Sequence, residues 1–296
     1  MLGEVLTAIV TPFDADGRVD LAAFRALARH LVDNGSDGLV VTGTTGEAPT
    51  LSDTERFSLY EAALDEVGDR ATVIAGTGTY DTSHSVHLTE QAHALGVHGV
   101  LVVTPYYNRP PQRGIVAHFE AVAAATDRPL IVYNIPARCV TNIEPATIAR
   151  LAEIENVHAV KQAAQPADED AQARNIVDSG LVLYAGDDVL ILRFLRLGGA
   201  GGICVHTHVV GPQVKELIGR FKAGDVAGAA ALDAELQPAL ELLRVTTNPV
   251  GIKRALELLG HEVGGLRLPL VEADELETAA IRDCLERLGL LAHAAA

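Results

Sequence analysis

The chain has 296 residues, 48% of them hydrophobic, and a formal net charge of −16. This length suits a single α/β barrel with an appended segment, and so acidic a protein is unsuited to binding nucleic acid or an anionic membrane. No apolar run reaches the roughly 18 residues of a membrane helix. The three widely spaced cysteines form no zinc pattern, and the N-terminus has no signal-type pattern. We therefore expect a cytoplasmic protein with free thiols.

Short apolar runs alternate with amphipathic segments as far as residue 205. The runs are continuously apolar, which is typical of strands covered on both faces. Regular alternation indicates parallel strands, and eight strand–helix units favour a closed (β/α)8 TIM barrel over an open doubly wound sheet. The predicted strands are Leu6–Val10, Gly38–Thr42, Ala71–Ala75, Gly99–Val103, Leu130–Tyr133, Val157–Val160, Leu181–Tyr184 and Gly201–Val205.

Capping residues mark two of the predicted helix starts. Asp20 predicts the N-cap of a helix that runs to Val32, and Ser52 with Glu55 forms a capping box. The other helices of the barrel are predicted over Thr82–Leu95, Pro111–Thr126, Glu144–Leu151, Asp168–Asp178 and Val189–Leu197.

After Pro212 the strand pattern stops and only amphipathic helices are predicted. We expect a catalytic barrel domain over residues 1–210 and a C-terminal helical domain over residues 211–296. The leucines and alanines of the second domain suggest helix packing and subunit contacts, and its last five residues are expected to fray. Its predicted helices are Val214–Phe221, Val226–Leu243, Val250–Leu259 and Ala273–Leu291.

The polar residues that follow the strands are the candidates for chemistry, because a barrel of this type has its active site at the carboxyl ends of its strands. Lys161 is the only lysine among them. Burial there would lower the pKa of its amine and make it a nucleophile towards a keto acid. Tyr133 and Arg138 are predicted to work beside it. Singly, the three could equally be a surface lysine, a strand-end tyrosine and a salt-bridge arginine.

The Gly43–Glu47 loop is bracketed by glycines and contains two hydroxyls, those of Thr44 and Thr45. It precedes a predicted helix, so its backbone N–H groups could face a small anion such as a carboxylate. No lysine follows the second glycine, which excludes a P-loop. The alternative is an ordinary turn between a strand and a helix.

Two further motifs could suggest a metal. His206 and His208 have strand spacing, which would place both imidazoles on one side, but no third ligand with supporting residues is evident. Asp187 and Asp188 could bind magnesium, although they also suit the cap of the following helix. We expect a helix cap and no metal site.

Taken together, five segments resemble the dihydrodipicolinate synthase / N-acetylneuraminate lyase family over essentially the whole chain. They are Gly43–Glu47, Thr104–Tyr107, Tyr133–Arg138, Lys161 and Ala185–Asp188. The resemblance implies a homotetrameric class I aldolase-type barrel that needs no metal or organic cofactor. In this family an arginine at the position of Arg138 marks enzymes that condense pyruvate with aspartate semialdehyde in lysine and diaminopimelate biosynthesis.

The resemblance also implies a role for each residue. Lys161 would form a Schiff base with pyruvate, and its enamine would attack the aldehyde of aspartate semialdehyde. Tyr133 would shuttle protons, linked through Thr44 to Tyr107 of a neighbouring subunit. The substrate-binding residues would be Thr45 for the pyruvate carboxylate, Arg138 for the second carboxylate, and Gly186 and Ile203 through their carbonyls.

Some residues depart from the family pattern. Gln162 and Ala164 after the lysine, Cys139 after the arginine, and His206 beside the pocket leave the second substrate open. A pyruvate-dependent aldolase acting on a sugar acid, or a non-catalytic keto-acid binder, therefore stays possible. Tyr80 and His84 occupy positions of the family's lysine-feedback site, and the missing carboxylate there predicts weak or absent inhibition by lysine.

Overall fold

A closed barrel of eight parallel strands forms the centre of the molecule. The computed structural model describes residues 2–163 and 169–292. The barrel and the helices between its strands confirm the predicted fold class. Ala164, Asp168 (predicted to begin a helix) and residues 293–296 (predicted to fray) lie outside the described residues. Within them, no helix is long and apolar enough to cross a membrane.

Each strand pairs with its sequence neighbours, and the last closes on the first through the register of Leu6 with Ile203. Alternate side chains point into the barrel and outwards, which gives one apolar cluster inside and a larger one beneath the helices. The strands are β1 (Val5–Ala8), β2 (Gly38–Val41), β3 (Thr72–Gly76), β4 (Gly99–Val103), β5 (Leu130–Asn134), β6 (Val157–Gln162), β7 (Val182–Ala185) and β8 (Gly201–Cys204).

The helices around the barrel begin largely where their capping residues indicate. Asp20 accepts hydrogen bonds from two N–H groups of the first turn of its helix, and Ser52 with Glu55 forms the predicted capping box. Two short 3-10 turns lie at Ala48–Thr50 and Asp188–Leu190. The helices are α1 (Leu21–Asp33), α2 (Asp53–Val67), α3 (Thr82–Leu95), α4 (Gln112–Ala123), α5 (Pro136–Cys139), α6 (Pro145–Leu151), α7 (Glu169–Asp178) and α8 (Ile191–Arg196).

Helices alone follow β8 in the described chain. They are α9 (Thr207–Lys222), α10 (Val226–Glu235), α11 (Gln237–Val245), α12 (Val250–Leu258) and α13 (Glu275–Arg287).

The prediction of a single helix over Val226–Leu243 is wrong, because the helix is interrupted between the end of α10 and the start of α11. Pro238 lies in the first turn of α11, where a missing N–H costs nothing, and it could not continue α10. The predicted domain boundary at residue 210 falls at a kink inside α9, where Val210 leaves the helical conformation. The division there stays a prediction.

Candidate active site

Lys161 lies near the carboxyl end of β6, directly beside Tyr133 of β5 in the strand register. Its side chain is buried, and its Nζ atom lies 4.2 Å from the centre of the Tyr133 ring. Burial lowers the pKa of the Lys161 amine from 10.5 to about 8, although attraction to the Asp188 carboxylate opposes this shift. Near pH 7 most of the amine is therefore protonated, but roughly one molecule in ten has a neutral amine that can act as a nucleophile.

Tyr133 is also buried, and its hydroxyl is held in the protonated form. Burial raises the pKa of the phenol, while the positive charge of Arg138 and a hydrogen bond with Thr44 oppose the rise. A phenol that keeps its proton beside an amine can deliver that proton and take it back. The contact with Thr44 connects Tyr133 to the Gly43–Glu47 loop.

The Gly43–Glu47 loop presents two N–H groups that could bind an anion. The N–H groups of Gly46 and Glu47 are bonded within the loop, to the carbonyls of Gly43 and Thr44. Within the described residues, no protein acceptor takes the N–H of Thr44 or of Thr45. Adjacent donors of this kind suit a carboxylate. The Thr45 side chain is buried, and its hydroxyl oxygen accepts a hydrogen bond of 3.0 Å from Asn248.

Gly186 lies in the loop after β7, and Ile203 lies on β8. A Cβ atom at Gly186 would lie 2.8 Å from Cγ of Lys161, so only glycine leaves room for the lysine in this position. Ile203 is fully buried in the apolar cluster inside the barrel, which also contains Tyr133.

A cavity of about 200 Å³ opens beside Tyr133. Arg138, which is exposed on α5, lines it together with Gly43 and Thr44. Lys161 does not line the cavity itself, but its amine contacts the ring of Tyr133, and Tyr133 is a lining residue. The lining residues are Thr42, Gly43, Thr44, Ala48, Pro49, Arg56, Gly76, Gly78, Leu101, Val103, Tyr106, Tyr133, Arg138 and Cys139.

Tyr107 lies apart from this group in the isolated chain. Its side chain is 91% exposed, and its backbone has a φ of +69°, an unusual value for a residue other than glycine. The neighbouring Tyr106 turns inwards to line the cavity and packs edge-on against Tyr80, with ring centres 5.4 Å apart. The structure thus groups Lys161 with Tyr133 and Gly186, and Tyr133 with Thr44 and Arg138 around the cavity. Thr45 and Ile203 are buried but do not line the cavity, and Tyr107 lies apart.

Asp188 and His206 form a buried pair that the sequence reasoning assigned differently. Nδ1 of His206 lies 2.5 Å from Oδ1 of Asp188 but lacks the geometry of a hydrogen bond to it, and Oδ1 accepts hydrogen bonds from the N–H groups of Val205 and His206. The predicted helix cap is therefore wrong for Asp188, which instead binds the backbone just before α9, while Asp187 stands at the N-cap position of the Asp188–Leu190 turn without a side-chain cap hydrogen bond. The strand spacing predicted for His206 and His208 is wrong as well, because the strand ends at Cys204 and a helix begins at once.

In the described chain, one group of three potential metal ligands has all its ligand atoms within 4.8 Å of one another. It consists of Asp188, Cys204 and His206. The 2.5 Å between Oδ1 and Nδ1 is shorter than the separation of about 3.3 Å that bonds of about 2.0 Å give two ligands of tetrahedral zinc. At this separation the carboxylate and the imidazole are in direct contact and are not placed as two ligands of one ion.

Arg56 is a cavity residue that the sequence reasoning missed. It is 5% exposed, its Nη2 atom donates to the carbonyl of Ala48 at 2.5 Å, and its Nε atom has no partner among the described residues. The signal was available, because Arg56 shares helical spacing with the buried Leu59 and Tyr60 on one face of α2.

Of the residues predicted to occupy the lysine-feedback position, Tyr80 packs against Tyr106, which lines the cavity, and His84 lies on α3. His84 has a carboxylate partner, because its Nε2 atom lies 2.9 Å from the carboxylate of Asp53. Tyr80 is exposed and contacts Tyr106. The carboxylate in this region is therefore already partnered by an imidazole of the same chain.

The family model of the dihydrodipicolinate synthetase family matches residues 1–288. A 4-hydroxy-tetrahydrodipicolinate synthase from Moorella thermoacetica is 50% identical over 289 residues, which cover 98% of this chain and 99% of that one. The crystal structure of the Cyanidioschyzon merolae synthase with lysine bound matches with a TM-score of 0.95 and 39% identity, covering 98% of this chain and 99% of that one. The pyruvate complex of the Acinetobacter baumannii synthase matches with a TM-score of 0.94 and 32% identity, covering 98% and 100%. The chain therefore belongs to the dihydrodipicolinate synthetase family.

Proposed function

We propose that Lys161 is the residue that forms the Schiff base in a condensation of pyruvate with aspartate semialdehyde. The protein is a lyase of the class I aldolase type, which acts in lysine and diaminopimelate biosynthesis and needs no external cofactor, as its family membership indicates. The observation that supports the role of Lys161 is its buried amine, with a pKa lowered to about 8, against the ring of Tyr133.

In the first half of the reaction, the neutral amine of Lys161 attacks C2 of pyruvate and the carbinolamine loses water. The pyruvate carboxylate binds the N–H groups of Thr44 and Thr45 and the hydroxyl of Thr45. The iminium nitrogen then withdraws electrons, so a proton leaves the methyl group and an enamine forms. Tyr133 carries the protons of these steps, since its phenol is protonated and adjacent to the amine.

In the second half, the enamine carbon attacks the aldehyde carbon of aspartate semialdehyde. The guanidinium of Arg138 binds the carboxylate of this substrate through two parallel hydrogen bonds. The substrate amine then attacks the iminium carbon, the ring closes, and Lys161 leaves as the free amine with 4-hydroxy-tetrahydrodipicolinate as the product. The carbonyls of Gly186 and Ile203 face the pocket in this proposal.

Tyr107 acts in the active site of a neighbouring subunit of a homotetramer. Its almost complete exposure and its strained backbone support this role, because such strain persists where a functional contact requires it. In the assembled protein Tyr107 continues the proton path from Tyr133 through Thr44. Sedimentation velocity at working concentration tests the assembly, and a fully active monomer would contradict the role of Tyr107.

The cytoplasm is the compartment we propose, because the three cysteines are all free and buried. Buried free thiols are typical of proteins in a reducing environment. Fractionation of cells that express the untagged protein tests this location.

Reduction with borohydride in the presence of pyruvate tests the central role. We expect a mass increase of one reduced pyruvate, located by peptide mapping to Lys161, and no adduct in Lys161→Ala. A coupled assay with pyruvate and aspartate semialdehyde then tests the second substrate. An adduct on another lysine would overturn the assignment, and turnover of a sugar acid in place of aspartate semialdehyde would overturn the substrate.

A further inference from the structure

The Gly43–Glu47 loop is held from outside the barrel, by residues more than 200 positions further along the chain. Two of its side chains have partners at or in α12: Thr45 with Asn248, and Glu47 with Lys253. Asn248 and Lys253 have no role in the reaction as described so far. Because the loop supplies the groups proposed to bind the pyruvate carboxylate, its supports bear on how pyruvate binds.

Asn248 determines the direction of the Thr45 hydroxyl. The Nδ2 atom of Asn248 lies 3.0 Å from Oγ1 of Thr45, and an amide N–H can only donate. The hydroxyl oxygen is therefore the acceptor in this bond, and its own proton stays available. No other atom in the described chain takes that proton, and Thr45 is 2% exposed. A hydroxyl in this state is prepared to donate to a bound anion.

Lys253 fixes the other end of the loop. Its Nζ atom lies 2.9 Å from Oε1 of Glu47 and also donates to the carbonyls of Thr11 and Gly265. Both charged side chains are almost completely buried. The backbone of Glu47 has a φ of +55°, which is costly for a residue with a side chain. The ion pair thus anchors the loop at the residue whose backbone conformation is unfavourable.

We propose that Asn248 is a positioning residue for pyruvate, which keeps the Thr45 hydroxyl as a donor to the substrate carboxylate. The Lys253–Glu47 pair holds the loop backbone on which this donor stands. The proposal rests on the proposed role of Thr45 in pyruvate binding. Asn248 contacts Thr45 and not the reacting atoms, so its effect falls on the binding of pyruvate and not on the chemistry at Lys161.

Asn248→Asp is the sharpest test, because a carboxylate must accept where the amide donated. It would take the proton of the Thr45 hydroxyl and add a negative charge near the substrate carboxylate. We expect the KM for pyruvate to rise by about tenfold or more, with a smaller rise in Asn248→Ala. The kcat at saturating pyruvate and the KM for aspartate semialdehyde should stay within about twofold of the parent values.

A double-mutant cycle separates positioning from a general loss of structure. Thr45→Val removes the hydroxyl, so Asn248→Ala should have little further effect on the KM for pyruvate in that background. Asn156→Asp is the matched control, since its amide binds carbonyls of the Ala123–Arg128 segment at the opposite end of the barrel. It should leave the KM for pyruvate unchanged.

The same variants distinguish a failure of the proposed role of Thr45 from a failure of the proposed role of Asn248. If Thr45→Val leaves the KM for pyruvate unchanged, the proposed role of Thr45 fails. If Thr45→Val raises it and Asn248→Asp does not, or if the two effects are additive, the role of Asn248 fails. Borohydride trapping over a range of pyruvate concentrations gives the same comparison for a variant whose turnover is too slow to measure.

Discussion

Replacing Lys161 with methionine should abolish catalysis and stabilise the folded protein at neutral pH. The side chain is buried, and its pKa is lowered from 10.5 to about 8. Each pKa unit corresponds to about 1.4 kcal/mol, so the protonated lysine costs the folded state about 3 kcal/mol. Methionine has a similar length and no charge to bury. We therefore expect Lys161→Met to raise the free energy of unfolding by up to about 3 kcal/mol at pH 7.

The stability difference between Lys161→Met and the parent protein should depend on pH in a defined direction. Below pH 8 the lysine is protonated in both the folded and the unfolded chain, so the folded protein bears the full cost. Between pH 8 and 10.5 the unfolded chain binds more protons than the folded one, and the stability contributed by this site rises with pH. The advantage of Lys161→Met should therefore be constant below pH 8 and should shrink towards zero by pH 10.5.

Lys253→Met is the matched control, because it makes the same change at an equally buried lysine. Lys253 has a carboxylate partner, Glu47, at 2.9 Å, and its removal leaves that charge buried and unpaired. Loss of one member of a buried pair costs about 3–5 kcal/mol, so this variant should be destabilised. Urea unfolding at equal protein concentration measures both variants. A destabilised Lys161→Met at pH 7, or a difference from the parent that does not change with pH, would refute the reasoning.

Three further outcomes follow from the site. Arg138→Ala should still form the pyruvate adduct but lose condensation, with poor rescue by Arg138→Lys, which lacks the planar fork; condensation at the parent rate would count against the role of Arg138. Gly186→Ala should slow borohydride trapping, because the added methyl group would lie 2.8 Å from Cγ of Lys161 and displace the amine; trapping at the parent rate would show that the lysine has room to move. Lysine should inhibit weakly or not at all, given Tyr80 and His84, and a steady-state assay that shows strong inhibition at low lysine would contradict this.

The parts of the fold that depend on neighbouring residues were predictable from sequence. A capping box needs only Ser52 and a glutamate three positions later, and a buried strand needs only a short apolar run. Adjacency of Tyr133 and Lys161 also followed, because consecutive strands of a parallel barrel pair with each other and end on one face. The break between α10 and α11 was missed, although Pro238 is a local signal that should have indicated it.

The contacts between the site and residues distant in sequence could not be predicted from local sequence patterns. Asn248 and Thr45 are 203 positions apart, and no periodicity connects a residue before α12 with a loop after β2. Acidic residues favour helix caps, which is why Asp188 was expected to be one, but its carboxylate accepts hydrogen bonds from the distant N–H groups of Val205 and His206. In both cases closure of the barrel and docking of the last helices decide the partner.

The two buried lysines show how partners, and not burial, separate a reactive amine from a structural one. Both pKa values are lowered chiefly by burial. Lys253 directs its amine to a carboxylate and two backbone carbonyls, which occupy its three N–H donors, so protonation is favoured and no lone pair is offered. Lys161 faces the ring of Tyr133 instead, and the carboxylate that attracts it most, on Asp188, also lies 2.5 Å from Nδ1 of His206. Among the described residues no hydrogen-bond acceptor faces the Lys161 amine, so its proton is easier to lose, which supports the nucleophilic role proposed for Lys161.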